Sequence, residues 1–216
     1  QSVSAEAPDC SDVTYSGDGT ETSPYEVGSV DRLQCTEEQN LESNYTLVSE
    51  IDASGTSEWN DGRGFDPIGN LSGGNLSASE PFNGTFDGSG HNITDIAIER
   101  PDEDGVGLFG LVGEGAVLTN VSLVDADFEG NVSVGGLAGG NEGGTVRDSS
   151  ASGNVEGDGG VGGLVGASSS TVRNSSASGD VTGGFSVGGL VGGNFNGTVR
   201  NSSASGGVTG DGEEVG

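Results

Sequence analysis

Residues 143–166, GGTVRDSSASGNVEGDGGVGGLVG, decide the fold, because close copies follow at 171–192 (TVRNSSASGDVTGGFSVGGLVG) and 198–210 (TVRNSSASGGVTG). Self-similarity at a fixed period of this length is the mark of a repeat architecture. Working outward, the apolar-Gly signature recurs at Val106, Val134, Val161, Val187 and Val215, with spacings of 28, 27, 26 and 28. A second column, Leu118, Val146, Val172 and Val199, keeps step with it, and so does a third, Phe128, Val155, Val181 and Val208. Between the columns no apolar residues fall at i, i+3, i+4 and i+7. Instead Val, Thr and Ser alternate with small or polar residues in runs bounded by turn formers, which excludes helical repeats.

The pattern predicts an all-β chain, a parallel β-helix or solenoid with three-strand coils of about 27 residues. One coil has no means of burying its own apolar face. Coils stacked about 4.8 Å apart pair every strand and set Val on Val in a narrow core. Six or seven of them would span about 30 Å. The step from Leu118, Val121 and Leu123 to Val146, Ser149 and Ala151 predicts an interior that shrinks toward the C-terminus. The 44 glycines recur in phase, where corners need positive φ or close backbone approach, so their number does not signal disorder.

Three segments follow: an arm over 1–23, a cap with irregular first coils over 24–100, and the repeats over 101–216. The first hundred residues hold Trp59, both cysteines and all three tyrosines. Solenoids need such a cap to cover an open strand edge. Val30, Leu33 and Leu41 predict one short helix in it, N-capped by Ser29 with Asp31 in the first turn. YTLVSEI (45–51) alternates like a strand, and PFNGTFDGSGHNITDIAI (81–98) reads as two strands around a Gly-rich turn.

The ordered set SPYEVGSVDRLQ, YTLVSEIDAS, FDPIGN, FNGTFDGSGHNITDIAI and GLFGLVG, followed by VGGLVG repeats, resembles proteins carrying the GLUG motif. The resemblance covers roughly residues 24–216. It implies an extracellular, cell-surface or secreted parallel β-helix module, found in adhesin-like proteins and beside peptidase domains. No peptidase domain is read in these residues.

Thirty-four acids face six basic residues, all arginine, for a net charge of −28. Such a surface repels phosphate, which argues against nucleic acid and anionic membrane as partners. No transmembrane stretch is present, so direct membrane insertion is not expected. Salt near 1 M shortens the Debye length to about 3 Å and suppresses the self-repulsion, so the composition predicts a halophilic protein, and the chain resembles haloarchaeal surface proteins. Arg147, Arg173 and Arg200 are expected to stack as a structural column offset by Asp148, Glu156 and Asp180.

Cys10 and Cys35 are neither a CxxC pair nor accompanied by a histidine set for zinc, which predicts a disulfide closing the arm. Asn-x-Ser/Thr sequons at Asn44, Asn70, Asn75, Asn83, Asn92, Asn120, Asn131, Asn174, Asn196 and Asn201 are glycosylation candidates. Asn70, Asn75 and Asn83 lie in loop-like sequence and are favoured. Asn120, Asn174 and Asn201 share a column with Asp148, where a polar ladder is the other use of their side chains.

Chemistry is sparse. His91, the sole histidine, has no nucleophile elbow or positioned base beside it, so no catalytic residue is assigned. No cofactor is expected. Calcium is the one ion the acids could take, from Asp125, Asp127 and Glu129 alternating on one strand or from Asp102 and Asp104 ahead of Gly105, although neither run matches an EF-hand loop. The function expected is that of a non-enzymatic structural or adhesive surface protein, partnered by itself end to end or by a cell-surface glycan. The sequence stops at Val215 and Gly216, where a further coil would begin, which is expected either of a piece of a longer chain or of a last coil finished by another copy, as in a filament subunit. A carbohydrate-active or carbohydrate-binding β-helix is the alternative.

Overall fold

The computed structural model describes residues 6–71 and 79–211, so Asn75 and the Val215–Gly216 terminus lie outside the described residues. The chain winds as a parallel β-solenoid whose strands fall into three sheets. The first sheet stacks seven strands: Tyr25–Val27, Asn44–Leu47, Thr85–Asp87, Val117–Thr119, Thr145–Arg147, Thr171–Arg173 and Thr198–Arg200. The third stacks four: Phe109–Val112, Ala138–Asn141, Val165–Ser168 and Val191–Asn194. The second is the longest and bends around a corner, with Ser122–Glu129, Ser150–Gly162 and Val181–Gly188 at its centre. The seven-strand sheet matches the expected six or seven rungs, but about four coils are complete on all three faces. Before them the third face is closed by single parallel bridges, Ile68 with Phe109 and Phe82 with Val112.

All three sequence columns are in register. Leu118, Val146, Val172 and Val199 pair in the first sheet. Phe128, Val155, Val181 and Val208 pair in the second, as do Val134, Val161 and Val187, with Val106 bridged to Val134. The VGGLVG signature is not one strand. It is the corner between the second and third sheets: Val161 and Gly162 end one strand and Val165 begins the next. A Cβ on Gly162 would lie 2.1 Å from the Val165 carbonyl oxygen, and one on Gly163 2.4 Å from that of Gly189, so the corner closes only with glycine.

The interior tapers as expected. One column of the first sheet reads Tyr25, Tyr45, Phe86, Leu118, Val146, Val172, Val199 along the axis. A second-sheet column reads Ile51, Ile93, Leu123, Ala151, Ala177, Ala204. Where Val121 gives way to serine, the corner stays satisfied. The backbone N–H groups of Val121, Ser149 and Ser175 donate to Ser149, Ser175 and Ser202 Oγ at 3.2, 3.3 and 3.2 Å. Each of these hydroxyls donates in turn to the carbonyl two residues earlier. The wide end is aromatic, with Phe86 edge-on to Phe109 at 5.3 Å and Phe82 5.0 Å from Phe109.

PFNGTFDGSGHNITDIAI forms three strands rather than two. Thr85–Asp87 lies in the first sheet, Asn92–Thr94 and Ala97–Glu99 in the second, so the Gly-rich turn is a solenoid corner and not a hairpin. YTLVSEI likewise splits into Asn44–Leu47 and Ile51–Asp52 on two sheets. The single helix expected is two, Val30–Gln34 and Thr36–Gln39, broken at Cys35. Ser29 caps the first, accepting from the Arg32 N–H at 3.3 Å. Cys35 is bonded to Cys10 across 25 residues, as predicted, and the Tyr15 hydroxyl donates to the Arg32 carbonyl at 2.5 Å. The cross-link therefore holds the arm against the cap helices. Replacing both cysteines by serine is expected to lower stability by about 3 kcal/mol, the chain-entropy value for a loop of this size, read as a shift of the urea midpoint.

Candidate interaction surface

Outward positions repeat with the same register as the core, so several surface side chains stand in columns of like kind. Asn120, Asp148, Asn174 and Asn201 occupy one corner with φ of 53°, 53°, 52° and 52°, the left-handed region that Asn and Asp tolerate best after glycine. They form the polar ladder: Asn120 Nδ2 donates to Asp87 Oδ1 at 3.0 Å, Asn174 to Asp148 at 2.9 Å and Asn201 to Asn174 at 3.3 Å. Asp148 is held below the usual carboxylate range by the Asn174 and Arg147 hydrogen bonds and by the Arg173 charge.

Other sequon amides are also engaged. Asn44 donates to Gly19 O, Asn70 to Glu80, Asn83 to Glu42 and Asn131 to Asp104. Asn92 begins a second-sheet strand, half-buried, with its backbone N–H on Glu50. Asn196 differs from these. It stands on an exposed turn at φ 64°, beside Phe195, which is 64% exposed. Glycopeptide mass spectrometry of native protein is expected to find Asn196 occupied and Asn120, Asn174 and Asn201 bare. The reverse distribution would contradict the ladder's claim on those amides.

The arginine column is present. Arg147 pairs in register with Arg173, and Arg173 with Arg200, on the outer face of the first sheet. Its expected counter-charges are not all there. Asp148 Oδ2 lies 3.0 Å from Arg147 and 3.9 Å from Arg173. Asp180 instead accepts the Gly207 N–H, and Glu156 belongs to a column on another sheet. That column is acidic: Glu99 pairs with Glu129 and Glu129 with Glu156. The three glutamates, with Asp127, line a groove of about 280 Å³. Burial pushes the Glu129 carboxyl up, and the neighbouring Glu156, Glu99 and Asp127 charges push it further.

The calcium candidates separate. Asp127 and Glu129 point outward from one strand while Ala126 and Phe128 point in, but Asp125 sits at a bulge with φ 54° and leaves that face. Asp102 and Asp104 line a different opening, a cleft of about 730 Å³ between the cap and the first coils. Asp104 accepts there from Asn131 at 2.9 Å. Among the described residues no three acidic, His or Cys side chains converge as a cation site. The cleft is acidic, and burial raises Glu37, whose carboxylate accepts the Gly69 N–H. Its arginine, Arg100, is buried and already bonded to Asp66, Glu103 and the Phe65 carbonyl. Among the described residues, no aromatic ring lines it. His91 lies 3.6 Å from Glu50 on a half-exposed corner. Among the described residues, no helix is long and apolar enough to cross a membrane.

Three consecutive matches to the GLUG motif cover residues 130–156, 157–182 and 183–209, the stretch whose corners and columns have just been described. Residues 130–209 are three GLUG repeats within the β-solenoid. Over 156 residues the chain is 40% identical to halomucin of Haloquadratum walsbyi, a match covering 70% of this chain and 2% of halomucin. Over 114 residues it is 34% identical to a candidate Gly-rich membrane protein of Evansella cellulosilytica, covering 52% of this chain and 12% of that one. The GLUG chain thus spans a small part of the length of these relatives. A crystal structure of a candidate immunoglobulin A1 protease from Bacteroides ovatus aligns over 90% of this chain and 86% of its own at 16% identity. Its TM-score of 0.37 carries no argument about activity.

Proposed function

We propose that this GLUG solenoid is a non-enzymatic structural unit of an extracellular cell-surface layer in a high-salt environment. The observation that carries the reading is the 40% identity to halomucin, together with an acidic exterior organised in columns. Its role is then one of shape and surface: a stiff stack that displays charged ladders and a glycan-bearing turn. Adhesion through that surface, and end-to-end contact on the narrow end of the stack, are the finer parts of the proposal. The test is immunogold labelling of intact cells with antibody to the solenoid, paired with surface proteolysis. Label on the envelope, removed by external protease, is expected. Signal confined to the cell interior would overturn the proposal.

A further inference from the structure

Three of the six arginines stand in one column, Arg147, Arg173 and Arg200, one rung apart, although like charges at that spacing repel. Asp148 is their acidic partner, at 3.0 Å from Arg147 and 3.9 Å from Arg173, and among the described residues no acid pairs with Arg200. Arg63 and Arg100, by contrast, close ion pairs inside the cap with Glu103 and Asp66. On another sheet Glu99, Glu129 and Glu156 stand in a column of the same length, and no described arginine reaches them. They line the groove of about 280 Å³, a concave seat. Burial and like-charge crowding disfavour the ionised form of Glu129 there, so a cation entering the groove gains what the fold leaves unmet.

Both columns repeat with the rung spacing of about 4.8 Å. Arg147 and Glu156 belong to the same coil, from which the arginines continue toward the C-terminal end and the glutamates toward the N-terminal end. A parallel neighbour displaced by two rungs, about 10 Å, therefore sets Arg147 against Glu99, Arg173 against Glu129 and Arg200 against Glu156. Resting on the reading of the chain as a surface structural unit, we infer that the arginine column of one copy docks in the glutamate groove of a second copy.

The guanidinium fork matches a carboxylate in two parallel hydrogen bonds, which fixes register as well as charge. Each copy carries both halves of the contact on different sheets. The contact is heterologous, and with a constant stagger it propagates into a ribbon rather than closing on itself. Net charge of −28 per copy opposes approach at low salt, whereas in molar salt repulsion beyond about 3 Å is screened and the direct pairs remain.

Charge exchange tests the contact. Sedimentation equilibrium in molar KCl would compare the wild type with Arg147→Glu/Arg173→Glu/Arg200→Glu, with Glu99→Arg/Glu129→Arg/Glu156→Arg, and with their equimolar mixture. Each triple variant alone is expected to self-associate roughly tenfold more weakly or worse, the scale of three exposed ion pairs. The mixture, in which acidic columns meet basic ones, is expected to recover association. Circular dichroism checks folding, and the neutral triple Arg→Gln variant is expected to weaken association without adding repulsion. A monomeric wild type, association unmoved by either triple variant, or a mixture no stronger than its components would overturn the inference. Association abolished by a chelator but indifferent to the arginine changes would overturn it too, in favour of a bridging cation. Surface labelling of cells carrying the triple variants separates the two readings: an envelope signal that persists while lateral association fails leaves the surface assignment standing.

Discussion

Truncating Phe86 to alanine is expected to cost about 3–5 kcal/mol, the range for emptying a large aromatic site in a core. Phe86 is wholly buried, stacks on Tyr45 at 6.5 Å and meets Phe109 edge-on at 5.3 Å. It sits in register between Tyr45 and Leu118, so its loss opens a void in the widest part of the stack, where backbone hydrogen bonds above and below keep the coils from collapsing inward. The matching change four rungs along, Val199→Ala, removes a side chain that is already 40% exposed, and is expected to cost well under 1 kcal/mol. Urea unfolding of both variants reads the difference. Equal costs at the two ends would mean that the taper does not set where stability resides.

The same column shows what the sequence discloses and what it hides. Leu118, Val146, Val172 and Val199 are found by counting, because in a parallel stack the residue one period later is also the residue one rung above. Tyr45 and Phe86 extend that column, but irregular loops separate them and period-counting does not reach them. The VGGLVG signature misleads for a physical reason. Apolar residues beside glycine suit a strand, yet at this corner carbonyl oxygens pass about 2 Å from where a Cβ on Gly162 or Gly163 would be. FNGT occurs twice, at 82–85 and 195–198, with Thr85 and Thr198 both on first-sheet strands. Phe82 is buried against Phe109 while Phe195 is 64% exposed, so the shared tetrapeptide does not disclose the environment of its aromatic residue.

The candidate surface was less legible than the fold. The arginine column is visible as one Arg per period, and the asparagine ladder follows from it. The acidic column is not, since Glu99 precedes the repeats and Glu156 has Thr182 as its next partner. Nor does alternation alone reveal that Asp125 turns away from Asp127 and Glu129. The cause is a bulge: Asp125, at φ 54°, falls where the register shifts, between Leu123, which pairs with Ala151, and Ala126, which pairs with Gly153.

Lowering salt from molar to about 10 mM is expected to melt the strand signal in circular dichroism at temperatures where the protein is folded in high salt. The reason lies in the rung spacing. Two unit charges about 5 Å apart in water repel by about 0.8 kcal/mol. With a Debye length of about 30 Å at 10 mM most of that remains, and with about 3 Å at 1 M about a fifth does. Glu99, Glu129 and Glu156 supply two such pairs, and Glu37 faces Glu80, Asp66 and Glu38 in the cap. If the Glu37 neighbours are counted at the same spacing, five pairs bring about 3 kcal/mol of repulsion that salt relieves, before longer-range repulsion among the remaining excess charge is added. In a chain of this length that shifts the midpoint by about 10 °C. The sign is fixed by the two raised carboxyls. Glu37 and Glu129 have folded values above their ordinary 4.5, so their ionised forms weaken the fold at neutral pH, and the penalty falls away as pH drops through the folded values toward 4.5. Glu129→Gln is accordingly expected to raise the melting temperature at 10 mM salt and to change it little at 1 M. Equal melting temperatures for the wild type across that salt range would remove the link between the acidic ladders and a high-salt surface.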